Sequence, residues 1–414
     1  MTQNTHDPTL AAAVNPAVRY HYMDNLRALA MLLGIFFHAA IAYGPMLQGI
    51  WIPANSETTV VMDVWAWFTH LFRMPLFFLI AGFFTCYLVG KRGVGGLLKN
   101  RALRILVPFM IFLPALWAAF GMGIGWAVAN VENPSPMLGL FAMMANMPDA
   151  PPPPVTTTHL WFLYNLVQFY LVYVVLEKVG LMRQGWMGLL ASPKFLVFVL
   201  PLLIAPALAT QAAPHPAPEQ FVPALWSFGF FGLFFLVGAQ FFRQQDLLER
   251  LAPYAPWLLL SSLALYAWLF TQFPESVTLQ QAMASAEGGQ PFSLIKGAVS
   301  LVEATIAVHM TLVCLVAGKR FLDKANPVIR FIADSSYWVY IIHLPVLWFI
   351  QYLLLDTQWN LWVEFAVSSL GTLAVGIVSY AVLVRWTPIG WMLNGRRRKS
   401  QAAAEPAIQQ AARA

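Results

Sequence analysis

Charge is what this sequence has least of. Only 10% of its 414 residues are Asp, Glu, Lys or Arg, against 59% that are hydrophobic. A water-soluble domain carries about 25% charged residues, so a globular protein with a large core is excluded and repeated bilayer crossing is implied. Cysteine is nearly missing too. The two present, Cys86 and Cys314, both lie inside apolar runs, which argues against a disulfide framework or a cysteine-ligated metal cluster. The N-terminal stretch MTQNTHDPTLAAAVNPAVRYHYMDN has no apolar core ahead of a cleavage site. No removable signal peptide is expected, and the first helix should direct insertion. The net charge of +6 does not point to nucleic acid. The basic residues cluster in short segments between apolar runs, the pattern that orients a chain in a membrane.

What is present is apolar sequence in helix-length blocks. Runs near 26–47, 62–89, 105–129, 159–178, 194–212, 223–242, 255–273, 293–317, 331–354 and 361–386 predict an all-α polytopic membrane protein with about ten transmembrane helices. Lysine and arginine fall in alternate linkers: Lys91 to Arg104, Lys178 to Lys194, Arg243 to Arg250, Lys319 to Arg330, and the tail Arg396 to Lys399. The other linkers, 48–58, 130–158, 213–222, 274–292 and 355–360, contain neither. The bias predicts both termini in the cytoplasm. The expected organisation is a short tail over 1–19, one membrane domain over 20–390 and a basic, Ala-rich tail over 391–414 with a lipid-surface role at most. Pro151 to Pro154 make the outer segment 130–158 stiff, as a strap or a lid. No solenoid-length repeat is visible.

Four groups of polar residues interrupt the apolar runs. Arg27 and His38 share the first. Eleven residues is close to three helical turns, so the two side chains fall on one face roughly 16 Å apart, with Met31 and Gly34 between them. An ionisable residue deep in a membrane helix usually faces a cavity. A neutral imidazole there offers a lone pair to an alcohol proton; the structural alternative is a snorkelling arginine and a histidine bonded to a neighbouring helix. Arg101 and Arg104, at i and i+3 before the third run, share a helix face. They suit a phosphate-rich ligand, or simply fix topology. His70 and Arg73 lie in the second run with Pro75 and Gly82, which permit a bend. His159 opens the fourth run and His343 lies inside the ninth. Glu303 and His309 are polar residues of the eighth run, six apart and facing different ways; no role is assigned to them.

Five segments in this order resemble the acyltransferase type 3 family of membrane proteins. They are the Arg27–His38 spacing, the Arg101–Arg104 pair, the Phe-rich helix Phe77-Phe78…Ala81-Gly82-Phe83, the segment His159-Leu160-Trp161-Phe162-Leu163, and Ser336-Tyr337…Tyr340-Ile341-Ile342-His343-Leu344-Pro345. The resemblance spans roughly residues 20–390 and is nearest to the branch that succinylates osmoregulated periplasmic glucans. Ala81 departs from it, standing where many relatives carry Ser, so no hydroxyl role is assigned there. The family's appended hydrolase-like domain is not seen, which implies a free-standing transferase.

The resemblance implies transfer of a short acyl group, succinyl or acetyl, from cytoplasmic acyl-CoA to a glycan hydroxyl across a bacterial inner membrane. His38 is then the general base and Arg27 its electrostatic partner. Arg101 and Arg104 hold the CoA phosphates, and Arg73, His343, His70 and His159 line the substrate cavity. No bound cofactor and no metal are expected; the partners are acyl-CoA, the glycan acceptor and the bilayer. The competing class is a proton-coupled secondary transporter, which intramembrane Arg, His and Glu and broken helices would suit. Against it, no paired Gly/Pro-interrupted segments mark corresponding halves, and the polar residues crowd into the first two spans.

Overall fold

The structure, a computed structural model, describes residues 20–148, 154–183, 188–190, 192–287 and 293–395. The expected N-terminal tail, Pro151 to Pro153 and the basic run Arg396 to Lys399 lie outside the described residues. Every expected span coincides with a helix. The helices are His21–Ile41 (α1), Val60–Arg101 (α2), Val107–Asn130 (α3), Pro136–Ala145 (α4, inside the linker 130–158 expected as a stiff strap or lid), Thr158–Lys178 (α5), Phe195–Leu208 (α6) and Leu225–Arg243 (α7). Leu247–Phe270 (α8), Leu279–Glu287 (α9), Leu294–Phe321 (α10), Pro327–Leu354 (α11), Leu361–Val384 (α12) and Pro388–Asn394 (α13) complete the chain. Among the described residues there is no strand.

Eight helical stretches among the described residues are long and apolar enough to cross a membrane. One of them, Val60–Asn130, holds two expected spans, α2 and α3. Inside it Gly93 has φ 68° and ψ 175°, a conformation that costs glycine little and other residues much, and it marks a sharp break in the basic linker. The α6 helix is shorter than the roughly 20 residues a crossing needs. The α1 helix is shorter than its apolar run, which continues to Leu47; it stops at Ile41. Pro45 explains this, because the residue before a proline is driven out of the helical region, and 42–50 fold into turns instead.

Several helix starts are written in the sequence. Ser135, Ser293, Asn326 and Asn360 each cap the helix that follows, accepting from Leu138, Lys296, Val328 and Trp362 N–H groups respectively, with Pro136 and Pro327 in the first turn. The broad outer faces of α3, α8 and α12 leave Met110, Met122, Leu260, Leu263, Leu370 and Val382 exposed. A surface that apolar suits lipid rather than water.

The two linker classes separate in space. The linkers without Lys or Arg hydrogen-bond to one another: Val277 N–H donates to Met46 O, Ser135 Oγ to Ile52 O, and Thr157 N–H to Glu219 O. Asp356 accepts from the N–H groups of Glu132 and Asn133, and Asn55 Nδ2 donates to Glu364. At the opposite end the basic linkers join: Asn25 donates to Leu322 O, Gln245 to Tyr20 Oη, Tyr337 to Arg104 O and Asn394 to Asp334 O. The alternation of charge along the chain is therefore a separation of ends in the fold.

α2 and α7 touch backbone to backbone. A Cβ on Gly82 would overlap the Phe235 carbonyl, and one on Gly238 would overlap that of Leu79. Small residues allow such an approach where no hydrophobic effect drives helices together. Gly82 thus serves close packing rather than the bend its neighbour Pro75 suggested.

Candidate active site

A cavity of about 1390 Å³ opens between α1, α2, α3, α4, α5 and α11, beneath the linker between α6 and α7. Its wall is largely apolar, but His38, His70, Arg73, His159 and His343 all lie on it. These five come from four helices and are up to 305 residues apart in sequence, so the fold gathers them (343 − 38 = 305). Met31 and Gly34 line the same wall, continuing the α1 stripe towards the basic end.

The hydrogen bonds separate the four histidines. Nε2 of His70 lies 2.9 Å from the His215 carbonyl, Nε2 of His159 lies 3.0 Å from that of Ile341, and Nδ1 of His343 lies 2.7 Å from that of Tyr340. A carbonyl only accepts, so in each neutral ring the nitrogen facing it carries the proton and the other holds the lone pair. His38 differs. It makes no hydrogen bond to a described residue, and its Nδ1 is buried without a partner. Its ring stacks on the Trp51 indole at 6.0 Å and 11°, and lies 5.4 Å from the His343 ring, which is in turn 5.1 Å from His159. Stacking holds the His38 ring in place without committing either nitrogen.

Arg73 is the cation of the cavity. It is 5% exposed, and forms no ion pair with a described residue. Its guanidinium lies 4.4 Å above the Phe37 ring, and Nη1 makes a long 3.5 Å contact to the Leu33 carbonyl. Phe37 stacks on His70 at 5.1 Å, so one ring separates cation and imidazole. Gly34 faces the same group; a Cβ there would lie 3.9 Å from Arg73 Nη1, an ordinary van der Waals contact. A buried guanidinium with so little compensation is poised to meet an anion.

The other sequence candidates lie elsewhere. Arg27 is 42% exposed and sits 3.6 Å from Asp24; it does not line the cavity, because the α1 end it occupies is at the basic surface. Arg101 lies over the Tyr170 ring at 5.0 Å, and Arg104 lies against Gly395. Both belong to the basic end. Among the described residues no three His, Cys, Asp or Glu side chains are placed to hold a metal.

Sequence reasoning missed the linker between α6 and α7. Its only ionisable residues over 213–222 are His215 and Glu219. His215 Nδ1 lies 2.6 Å from Glu303 Oε1, its N–H donates to the same oxygen at 3.0 Å, and both side chains are almost fully buried. Ala217 and Glu219 face the cavity. The signal was the spacing in Pro214-His215-Pro216-Ala217-Pro218-Glu219. The prolines remove three backbone donors, and a turn at Pro218, closed by the Glu219 N–H on the Ala217 carbonyl at 3.0 Å, presents Ala217 and Glu219 to the cavity. Trp51, Trp117 and Trp348, to which the sequence reading gave no role, also line the cavity.

A multi-pass membrane protein with a largely apolar cavity holding an uncommitted imidazole and a buried guanidinium is suited to group transfer. Its sequence places it more narrowly. The chain belongs to the acyltransferase type 3 family, whose acyltransferase domain matches residues 20–381, and it is a membrane O-acyltransferase. Two similar proteins, both from Escherichia coli, strains E24377A and K12, carry the name Glucans biosynthesis protein C. They are 22% identical to it over 391 and 387 residues, covering 92% of this chain and 96% of each relative. No solved structure matches the chain.

Proposed function

We propose that this enzyme transfers a short acyl group, succinyl or acetyl, from acyl-CoA to a hydroxyl of a glucan at a bacterial inner membrane. The observation that carries the reading is His38, without a hydrogen bond to any described residue, on the wall of a cavity it shares with the buried Arg73. The volume of about 1390 Å³ exceeds the ~300–1,000 Å³ of a site for one small molecule, so donor and acceptor fit together. The names of the relatives support a glucan acceptor.

His38 takes the proton of the acceptor hydroxyl as its oxygen attacks the thioester carbonyl. A C–O bond forms, the C–S bond breaks, and the departing CoA thiolate receives the proton from His38. No proton is left over and no further reactant is needed. Arg101 and Arg104 at the basic end hold the CoA phosphates, and the pantetheine arm reaches from there to the cavity. Arg27, also at the basic end, makes that approach electropositive. Arg73 faces the distal carboxylate of a succinyl group, an anion that would match its charge. His343 and His159, with fixed tautomers, and His70 behind Phe37 shape the wall around His38.

The test uses the purified chain in lipid nanodiscs with acyl-CoA and a bacterial glucan extract. Release of CoA thiol that depends on the glucan is expected from the wild type. Thiol release that ignores the glucan, or none at all with either succinyl-CoA or acetyl-CoA, would contradict the assignment.

A further inference from the structure

One side chain on the cavity wall is left without an explanation by the transfer chemistry. Glu219 sits on the linker between α6 and α7, among the linkers that lack Lys and Arg, and its carboxyl reaches the cavity. The backbone that carries it is pinned. Thr157 donates to the Glu219 carbonyl from both N–H and Oγ1, each at 2.8 Å. Four residues earlier His215 is tied to Glu303 from two atoms. The carboxyl itself, by contrast, bonds to no described residue. Burial pushes it up to about 7, and neither oxygen has a hydrogen-bond partner among the described residues. Polar groups in such places normally have partners, and one held rigidly without any is a candidate for meeting a ligand.

The surroundings say what kind of ligand. Trp117, whose Nε1 donates to the Thr156 carbonyl, lines the cavity wall beside the same pinned stretch, and Trp51 and Trp348 meet edge to face at 5.5 Å next to His38. Indole faces cover apolar C–H surfaces, while a carboxyl accepts from, and when protonated donates to, hydroxyls. The cavity is also polarised: its guanidinium, Arg73, lies on the α2 wall, and its carboxyl hangs from the linker. An anionic group is drawn to the first and repelled by the second.

We propose that Glu219 with Trp51, Trp117 and Trp348 forms the acceptor subsite, recognising a neutral, hydroxyl-rich pyranose. Glu219 holds two ring hydroxyls and the indoles cover the sugar's C–H faces, which turns one remaining hydroxyl towards His38. Glu219 is a positioning residue and does not touch the thioester. The inference rests on the acyl-transfer reading above, but sugar binding is measurable without any transfer.

Two measurements test it on the full chain in nanodiscs. In saturation-transfer NMR with methyl β-glucoside as probe, the wild type should pass saturation to the pyranose C–H protons, and Glu219→Ala should lose most of that signal. In the transfer assay, Glu219→Leu, close in size but unable to hydrogen-bond, should raise KM for the glucan by about three- to tenfold, the loss of one or two neutral hydrogen bonds, with KM for acyl-CoA unchanged. Equal saturation in wild type and Glu219→Ala, or a KM change confined to acyl-CoA, would overturn the subsite. So would absent saturation in a wild type whose glucan-dependent CoA release persists, which leaves the transfer reading standing. Saturation that depends on Glu219 without any CoA release would instead support the subsite and remove the transfer reading.

Discussion

At the scale of single residues, the distinction that matters is between a histidine with a fixed tautomer and one without. Three of the four cavity imidazoles spend a nitrogen on a backbone carbonyl, and His38 does not. A well-placed general base contributes roughly 10²–10⁴-fold, so His38→Ala should lower glucan-dependent thiol release by about that factor while leaving the amount of folded protein unchanged on size-exclusion chromatography. Arg73→Gln separates donors: the rate with succinyl-CoA should fall further than with acetyl-CoA, and equal losses would move Arg73 from the distal carboxylate to the developing oxyanion. Glu219 makes a prediction about pH. Its folded-state value of about 7 lies above the ordinary carboxyl value of about 4.3, so the native state holds its proton over a range where the unfolded chain has lost it. The contribution to stability therefore weakens as pH rises from about 4.3 to 7. The thermal midpoint of Glu219→Gln should fall less than that of the wild type across this range. His38, Arg73, His70, His159 and His343 were all legible in the sequence because a polar residue in an apolar run is conspicuous. Glu219 was not, since a carboxyl in a polar linker looks like any solvated one until the linker is seen to fold over a cavity.

At the scale of elements, close packing and pinning hold the site. The α2 helix carries both His70 and Arg73, and its contact with α7 depends on Gly82 and Gly238. Gly82→Leu has no room for its side chain and should cost about 1–3 kcal/mol or more, seen as a lower thermal midpoint and a weaker transfer rate together. The linker between α6 and α7 depends on His215. His215→Ala leaves one oxygen of the buried Glu303 poorly satisfied, a loss of about 1–3 kcal/mol, and frees the stretch that carries Glu219. The long helices were readable from apolar length, but α4 falls inside the linker 130–158 expected as a strap or lid, and α11 starts at Pro327 under the Asn326 cap, ahead of the expected 331. The early end of α1 was readable only through Pro45. The partnership of His215 with Glu303 joins residues 88 apart in sequence, and no local pattern announces it.

At the scale of the whole molecule, the basic linkers gather at one end and the linkers without Lys or Arg at the other, with Arg101 and Arg104 at the first and Glu219 at the second. Donor and acceptor would therefore enter from opposite sides. Single cysteines placed at Lys324 and Gln220, both exposed, test this with a membrane-impermeant maleimide on spheroplasts. Gln220→Cys should label in intact cells and Lys324→Cys only after permeabilisation. The ends were legible because charge bias survives in any linear reading, whereas the cavity between them was not. It forms where six helices and a proline-rich linker converge, and sequence spacing within a single helix carries no record of that meeting.

The most direct test of acyl transfer through His38 is mass spectrometry of envelope glucans from cells lacking this protein, complemented with wild type or with His38→Ala at matched membrane levels. A succinyl or acetyl mass increment on the glucan is expected with the wild type alone. The same increment in cells complemented with His38→Ala would contradict the role given to His38, and identical glucans in all three strains would contradict the transfer itself.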